Sequence, residues 1–187
     1  SAGQALVSLE VSVAVDTDKE LINEVEAKDL KMNTVEGLIQ KKSVQNQKSM
    51  ERELDRAFFE ACESAGTEVF TSEADISKLF NLLVKNLKSL QNEYIDGVDA
   101  DDIWVIMNTD RYDQVRDKVD TLENANITSD IASIGKYHGV KVAENIRQSA
   151  EFIVMMQGAV AQPVSVDIDE ADKFPASNAY HFGLFYS

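Results

Sequence analysis

One cysteine, two prolines and two histidines among 187 residues each remove a class of explanation. A single thiol, Cys62, cannot form an internal disulfide, which fits a reducing compartment. It falls on an apolar stripe of helical spacing, so a buried packing thiol is expected rather than a nucleophile. His138 and His181 lie in separate predicted strands with no second histidine or cysteine nearby, which is not a zinc-ligand spacing. Eight glycines include no phosphate-cradling loop after a strand, since Gly158 stands alone after Met156-Gln157, and no Gly-x-Ser-x-Gly elbow. No apolar run reaches the roughly eighteen residues of a membrane span, and no signal-peptide pattern is present. Basic residues are also scarce, 18 against 33 acidic, for a formal net charge of -15. That balance argues against an extended phosphate-binding surface and predicts a solvated acidic one.

What is present is apolar patterning. With 44% hydrophobic residues, the chain can build one or two globular units and bury about 70% of its unfolded surface. The most unusual stretch is residues 33–66, read as one helix with Asn33 as its cap, Glu36 three positions on and Gly66 as its stop. From Met50 through Leu54, Phe58, Ala61, Cys62 and Ala65 the apolar steps are three and four. Between Gln40 and Ser49 only Val44 is apolar, among Lys41, Lys42, Gln45, Asn46, Gln47 and Lys48. Such a rod would be about 45–50 Å long, enough to tie two bodies together or to line a subunit boundary. Its polar middle is expected to face water or a neighbouring subunit.

Upstream, Val7, Leu9, Val11, Val13 and Val15 alternate with smaller or polar residues, a half-buried strand. Residues 16–31 are acidic and open between a short helix and a strand. After the long helix, Ser72 is a candidate cap for an amphipathic helix carrying Ile76, Leu79, Phe80, Leu83, Leu87, Leu90 and Tyr94. The run Ile103-Trp104-Val105-Ile106-Met107 predicts a buried central strand. Asn108-Thr109-Asp110 opens a further helix with Tyr112, Val115, Val119 and Leu122 on one face. Ile127, Ile131 and Ile134 allow one more helical turn, and strands are expected at 138–142, 152–156, 164–168 and 180–186. Residues 169–177 read as a loop containing Pro175. The order places a strand and the long helix first, a mixed helix-and-strand block from about 70 to 170, and a returning strand at the end. The chain is expected to be α+β, with first and last strands in one sheet and the middle block inserted. It ends inside an aromatic alternation and has no initiator Met, so a fragment of a longer polypeptide is expected.

Two clusters carry charge. Asp96, Asp99, Asp101 and Asp102 superficially resemble a calcium loop, but its glycine comes second and Met107 stands where the bidentate Glu belongs, so a solvated loop is expected. Lys41, Lys42, Lys48 and Arg52 are interleaved with Glu51, Glu53 and Asp55, a pattern suited to helix or subunit pairing more than to phosphate contact. No catalytic, cofactor-binding or metal-ligating residue is assigned, and no enzyme activity or cofactor is expected.

Residues 152–163, Phe152-Ile153-Val154-Met155-Met156-Gln157-Gly158-Ala159-Val160-Ala161-Gln162-Pro163, and 180–186 resemble the major capsid proteins of tailed bacteriophages, the Hong Kong 97-like fold. The stretch 29–55, with Gln45, Gln47 and Leu54-Asp55, and the strand, turn and cap at 103–111 are similar to the same group. The resemblance implies a peripheral domain of residues 1–69 plus 171–187 with a spine helix at 33–65, and an inserted axial domain of residues 70–170. It implies a structural coat protein without an active site, assembling with itself into hexamers and pentamers of an icosahedral head around DNA. Scaffold and portal proteins are its implied partners, the virion its location, and the bacterial cytoplasm its place of assembly. The family's N-terminal arm and extended loop are expected before residue 1, and final peripheral-domain residues after Ser187. This stretch alone is therefore expected to be a monomer or weak oligomer, with neither sequence-specific nucleic-acid binding nor a membrane partner. Two alternatives stay open: a protein nanocompartment shell subunit, which shares the fold, and a small-ligand or partner-binding α/β module. The module needs a pocket lined by strands 103–107 and 152–156, with the acidic loop at its mouth.

Overall fold

The computed structural model describes residues 15, 17–25, 34–93, 95–120, 134–168, 172–173 and 180–187. The described chain is mixed α+β, with three α-helices and two four-stranded sheets. It divides into two compact units, Ser1–Arg52 with Gln162–Ser187, and Glu53–Ala161. The division falls inside the long helix, whereas the sequence expectation assigns that helix whole to one domain with a boundary at 69–70.

In the first unit, β1 (Lys19–Val25) pairs antiparallel with β8 (Tyr180–Tyr186) along its whole length, from Lys19 opposite Tyr186 to Val25 opposite Tyr180. The short strands β6 (Val166–Ile168) and β7 (Asp172–Lys173) share the other edge of β8. Leu184 and Tyr186 are buried on one face, with Leu21 opposite Leu184. Gly183 precedes them and shares the other face with Phe185, where an added Cβ would stand 2.9 Å from the Phe185 ring, so glycine leaves that ring its seat. The partner of the last strand is thus the stretch the sequence left open between helix and strand. Of the alternating run 7–15 only Val15 is described, exposed and outside any strand. The 164–168 strand expected in the inserted block instead joins this sheet, because Ser165 and Ser187 exchange backbone hydrogen bonds at 3.0 and 3.1 Å and extend the β6–β8 ladder.

Helix α1 spans Val35–Ala65, about 46 Å at the standard rise. Asn33 lies outside the described residues. Thr34 serves as cap, its Oγ1 accepting from the Gly37 N–H at 3.2 Å. Gly66 N–H donates to the Cys62 carbonyl at 2.9 Å where the helix ends. The polar middle is not left wholly to water. Asn46 is buried, 9% exposed, and its Nδ2 donates to the Leu21 carbonyl of β1 at 3.4 Å.

The second unit is a sheet of order β3-β4-β2-β5 with helices α2 (Ile76–Lys88) and α3 (Thr109–Asp120) packed on one face. β2 (Ile103–Met107) runs parallel to β4 (Val140–Glu144) and antiparallel to β5 (Phe152–Met156). β2 is central as expected, but only alternate residues are buried: Ile103, Val105 and Met107 meet the helices, while Trp104 and Ile106 are half-buried on the other face. The core is completed by Phe80, Leu79, Val84, Val115, Val140 and Val142.

Helix α2 is capped by Asp75, not Ser72, because the Asp75 carboxylate accepts from both Ser77 and Lys78 N–H at 3.0 and 3.1 Å. It ends at Lys88, short of Leu90. Gly97, at φ +85°, donates back to the Leu90 carbonyl and turns the chain there. β3 (Lys136–Tyr137) and β4 form a hairpin whose two turn residues, His138 and Gly139, both have positive φ, the geometry of a type I′ turn. His138 is therefore a turn residue rather than a strand residue. Within the loop expected at 169–177, Asp172–Lys173 instead form β7 because β8 supplies their ladder. Ile134, expected in a helical turn, lies outside any helix; Leu122, Ile127, Ile131, Tyr94 and Pro175 lie outside the described residues.

Candidate functional site

In the second unit, the half-buried face of β2, the end of β4 and the connection after β4 form an open cleft of about 300 Å³. Its walls are Asp55 and Phe59 of α1, Trp104 and Ile106 of β2, and residues 143–147. The walls are apolar because β2 sends Trp104 and Ile106 away from the core, beside Met155 and Ile153 of β5. Lys141 lies alongside, its Nζ 5.4 Å from the Trp104 ring centroid and donating to Gln157 Oε1 at 3.1 Å. At the rim Arg147 Nη1 donates to Asp55 Oδ2 at 2.7 Å, and Glu144 makes no ion pair among the described residues.

Residues 145–151 are fastened to α1 and β2 by hydrogen bonds that the sequence did not disclose. Glu63 Oε1 accepts from the backbone N–H groups of Ser149 and Ala150. Gln148 Nε2 donates to the carbonyls of Ile106 and Ala150 at 3.3 and 2.9 Å. Asn145 N–H donates to the Met107 carbonyl, and its Oδ1 accepts from Arg147 N–H at 2.8 Å. Asn145 Nδ2 and Gln148 Oε1 are the two buried side-chain atoms without a protein partner among the described residues. Nothing in a run of isolated polar residues marks the fastenings to α1 and β2, since their partners lie 38 to 87 positions away.

The cleft differs from the pocket expected of a ligand-binding module. β2 contributes, but β4 and α1 supply the remaining walls in place of β5, and the acidic loop is not at the mouth. In that loop Ala100–Asp102 forms a 3-10 turn. Asp101 pairs with Lys136 at 3.0 Å, and this charged hydrogen bond holds its carboxyl below the ordinary 3.8. Asp96 accepts from Gln91 Nε2 at 2.9 Å. Among the described residues no three His, Cys, Asp or Glu side chains are grouped to hold a metal ion.

The remaining candidates have structural settings. His138 stacks on Tyr137 with ring centroids 4.2 Å apart, and its Nδ1 is 2.8 Å from Asn81 Oδ1. His181 lies in β8 opposite Glu24. Cys62 is buried on α1, and burial, with Glu63 beside it, pushes its thiol up from the ordinary 9.0. Lys41, Lys42, Lys48 and Arg52 are all exposed on α1. No described helix is long and apolar enough to cross a membrane.

No family model matches the sequence, and no curated protein matches it. Among solved structures, a protein of Mycobacterium phage Che8 is similar, with a TM-score of 0.64 at 19% identity, over 91% of this chain and 65% of that one. This chain thus spans about two thirds of the phage protein's length. Across nearly all of its own length, it shares the mixed α+β fold of a mycobacteriophage protein.

Proposed function

We propose that this chain is the shell-forming part of a tailed-phage major capsid protein of the Hong Kong 97-like fold. It works by self-association into the hexamers and pentamers of an icosahedral head around DNA. The observation that carries this reading is the fold shared with a phage protein over 91% of the chain. The division into two units with α1 running from one into the other supports it. On this reading the unit built on β1, β6, β7 and β8 is the peripheral domain and the unit built on β2 to β5 the axial domain.

The work is done by surfaces rather than by reacting groups. Repeated burial of complementary patches around a symmetric ring closes a shell, each contact weak and the sum large. At the cleft beside Trp104 the one lining cation, Arg147, is already held by Asp55, which leaves no lining cation free for an anionic ligand. The partners are further copies of the chain, with scaffold and portal proteins during assembly in the bacterial cytoplasm. No catalysis, cofactor, membrane or sequence-specific nucleic-acid contact belongs to this role. The 187-residue chain by itself is a monomer or weak oligomer.

Electron microscopy of the full-length protein expressed in bacteria tests the reading. Closed, uniform shells or rings of five and six copies are expected. A protein that stays monomeric at every concentration contradicts it, and shells packed with a cargo protein would make it a nanocompartment subunit.

A further inference from the structure

Two exposed charged rows on two helices oppose in sign and share one step, four residues from Lys48 to Arg52 and from Asp113 to Asp117. On α1, Lys41, Lys48 and Arg52 stand at i, i+7 and i+11, one face of the helix. All three are exposed, and none makes an ion pair among the described residues. On α3, Asp110, Asp113 and Asp117 stand at i, i+3 and i+7, also one face, also exposed and also without an ion pair. The span from Lys41 to Lys48 and that from Asp110 to Asp117 are both about 10.5 Å at the standard helical rise.

Each row sets like charges one turn apart, Lys48 with Arg52 and Asp113 with Asp117, a spacing at which they repel. Several groups that could relieve the repulsion are engaged elsewhere, while Glu51 and Arg116, three positions after Lys48 and Asp113, make no ion pair among the described residues. Asp55, three positions after Arg52, is held by Arg147. On α3, Arg111 is held by Glu151 and Gln114, and Lys118 pairs with Asp75.

We infer that the Lys41–Lys48–Arg52 row is a docking surface for the Asp110–Asp113–Asp117 row of a second copy of this chain. The inference rests on the self-assembly reading and names one of its contacts. Since the two rows are different surfaces, the contact is head-to-tail and propagates into a ring or shell instead of stopping at a pair. The occupant is a second copy because the chain itself carries the opposite row, with Asp113 and Asp117 set one turn apart as Lys48 and Arg52 are.

The test uses two charge-reversed chains, K41E/K48E/R52E and D110K/D113K/D117K, with circular dichroism to establish that both are folded. Sedimentation equilibrium at high protein concentration is expected to show weak association of the parent chain, weakening at least tenfold between about 0.05 M and about 0.5 M salt. Either reversal should weaken it tenfold or more. An equimolar mixture of the two should recover it, because reversed α1 then meets reversed α3. Three results overturn the inference: a parent chain that does not associate, association untouched by either reversal, or a mixture no better than its components. A fourth is an α1 reversal that changes only binding to a duplex DNA oligonucleotide, which would assign the row to phosphates. Closed shells of the full-length protein carrying either reversal would leave the self-assembly reading standing and remove this contact alone.

Discussion

Glu63, in the last turn of α1, accepts the backbone N–H of Ser149 at 2.7 Å with its Oε1, and the same oxygen accepts from Ala150 at 2.9 Å. One carboxylate thereby fixes the connection between β4 and β5, 86 positions away in sequence, to the helix. Hydrogen bonds to a charged acceptor are worth about 1.5–3 kcal/mol before exposure reduces them. Glu63→Ala is therefore expected to lower stability by about 1–2 kcal/mol, with Glu63→Gln losing less because an acceptor remains. Urea unfolding checks this, and equal losses for both variants would mean that the charge-independent acceptor is not what holds residues 149–150.

Phe80 is fully buried, edge-on to Tyr137 at 4.9 Å between ring centroids. Phe80→Ala should cost about 3–5 kcal/mol by loss of transfer free energy and creation of a cavity. Phe80→Leu keeps most of the volume and should cost less than about 1.5 kcal/mol. Thermal unfolding of both variants measures the difference, and similar losses would show that the core does not close tightly on the ring.

The long helix can be broken at one position. Gln45 is exposed, so a proline there removes no side-chain contact but interrupts the backbone ladder and clashes with the preceding turn, costing about 3 kcal/mol or more. The neighbouring Asn46–Leu21 hydrogen bond should be lost with it. Reduced helicity and failed assembly of the full-length protein are the expected results. Normal folding together with normal shells would remove the spine role of α1.

Acid sensitivity follows from two carboxylates. Asp75 is lowered from 3.8 first by the Lys78 backbone hydrogen bond, and Asp101 first by the Lys136 side-chain hydrogen bond. A depressed folded-state pKa stabilises at pH values above the unfolded one, and that contribution fades as pH falls through the folded one. Stability from these groups should therefore be level above the ordinary carboxylate range and decline below about 3.8. Replacing both residues with Asn should flatten that part of the curve; an unchanged slope in a pH series of melts would locate the acid sensitivity elsewhere.

Periodic apolar spacing made the second unit's core legible: Ile76, Leu79 and Phe80 on α2, Val115 on α3 and the run at 103–107 are where the spacing puts them. Long-range partners were not legible. β1 carries Glu20, Asn23 and Glu24, whose polarity masks a strand that exists because β8 supplies its ladder. Asp75 displaced Ser72 as cap because a carboxylate can take two N–H groups at once. The basic residues of α1 were visible as a cluster, but their acidic counterpart on α3 emerges only once helix faces and ion pairs are assigned.

The central claim is that identical copies build a closed shell, and cryo-electron microscopy of particles purified from bacteria expressing the full-length protein tests it most directly. The expected result is an icosahedral map into whose capsomers both units, joined through α1, fit as repeated subunits. Discrete monomers or dimers without a shell, in every buffer that keeps the protein folded, would contradict it.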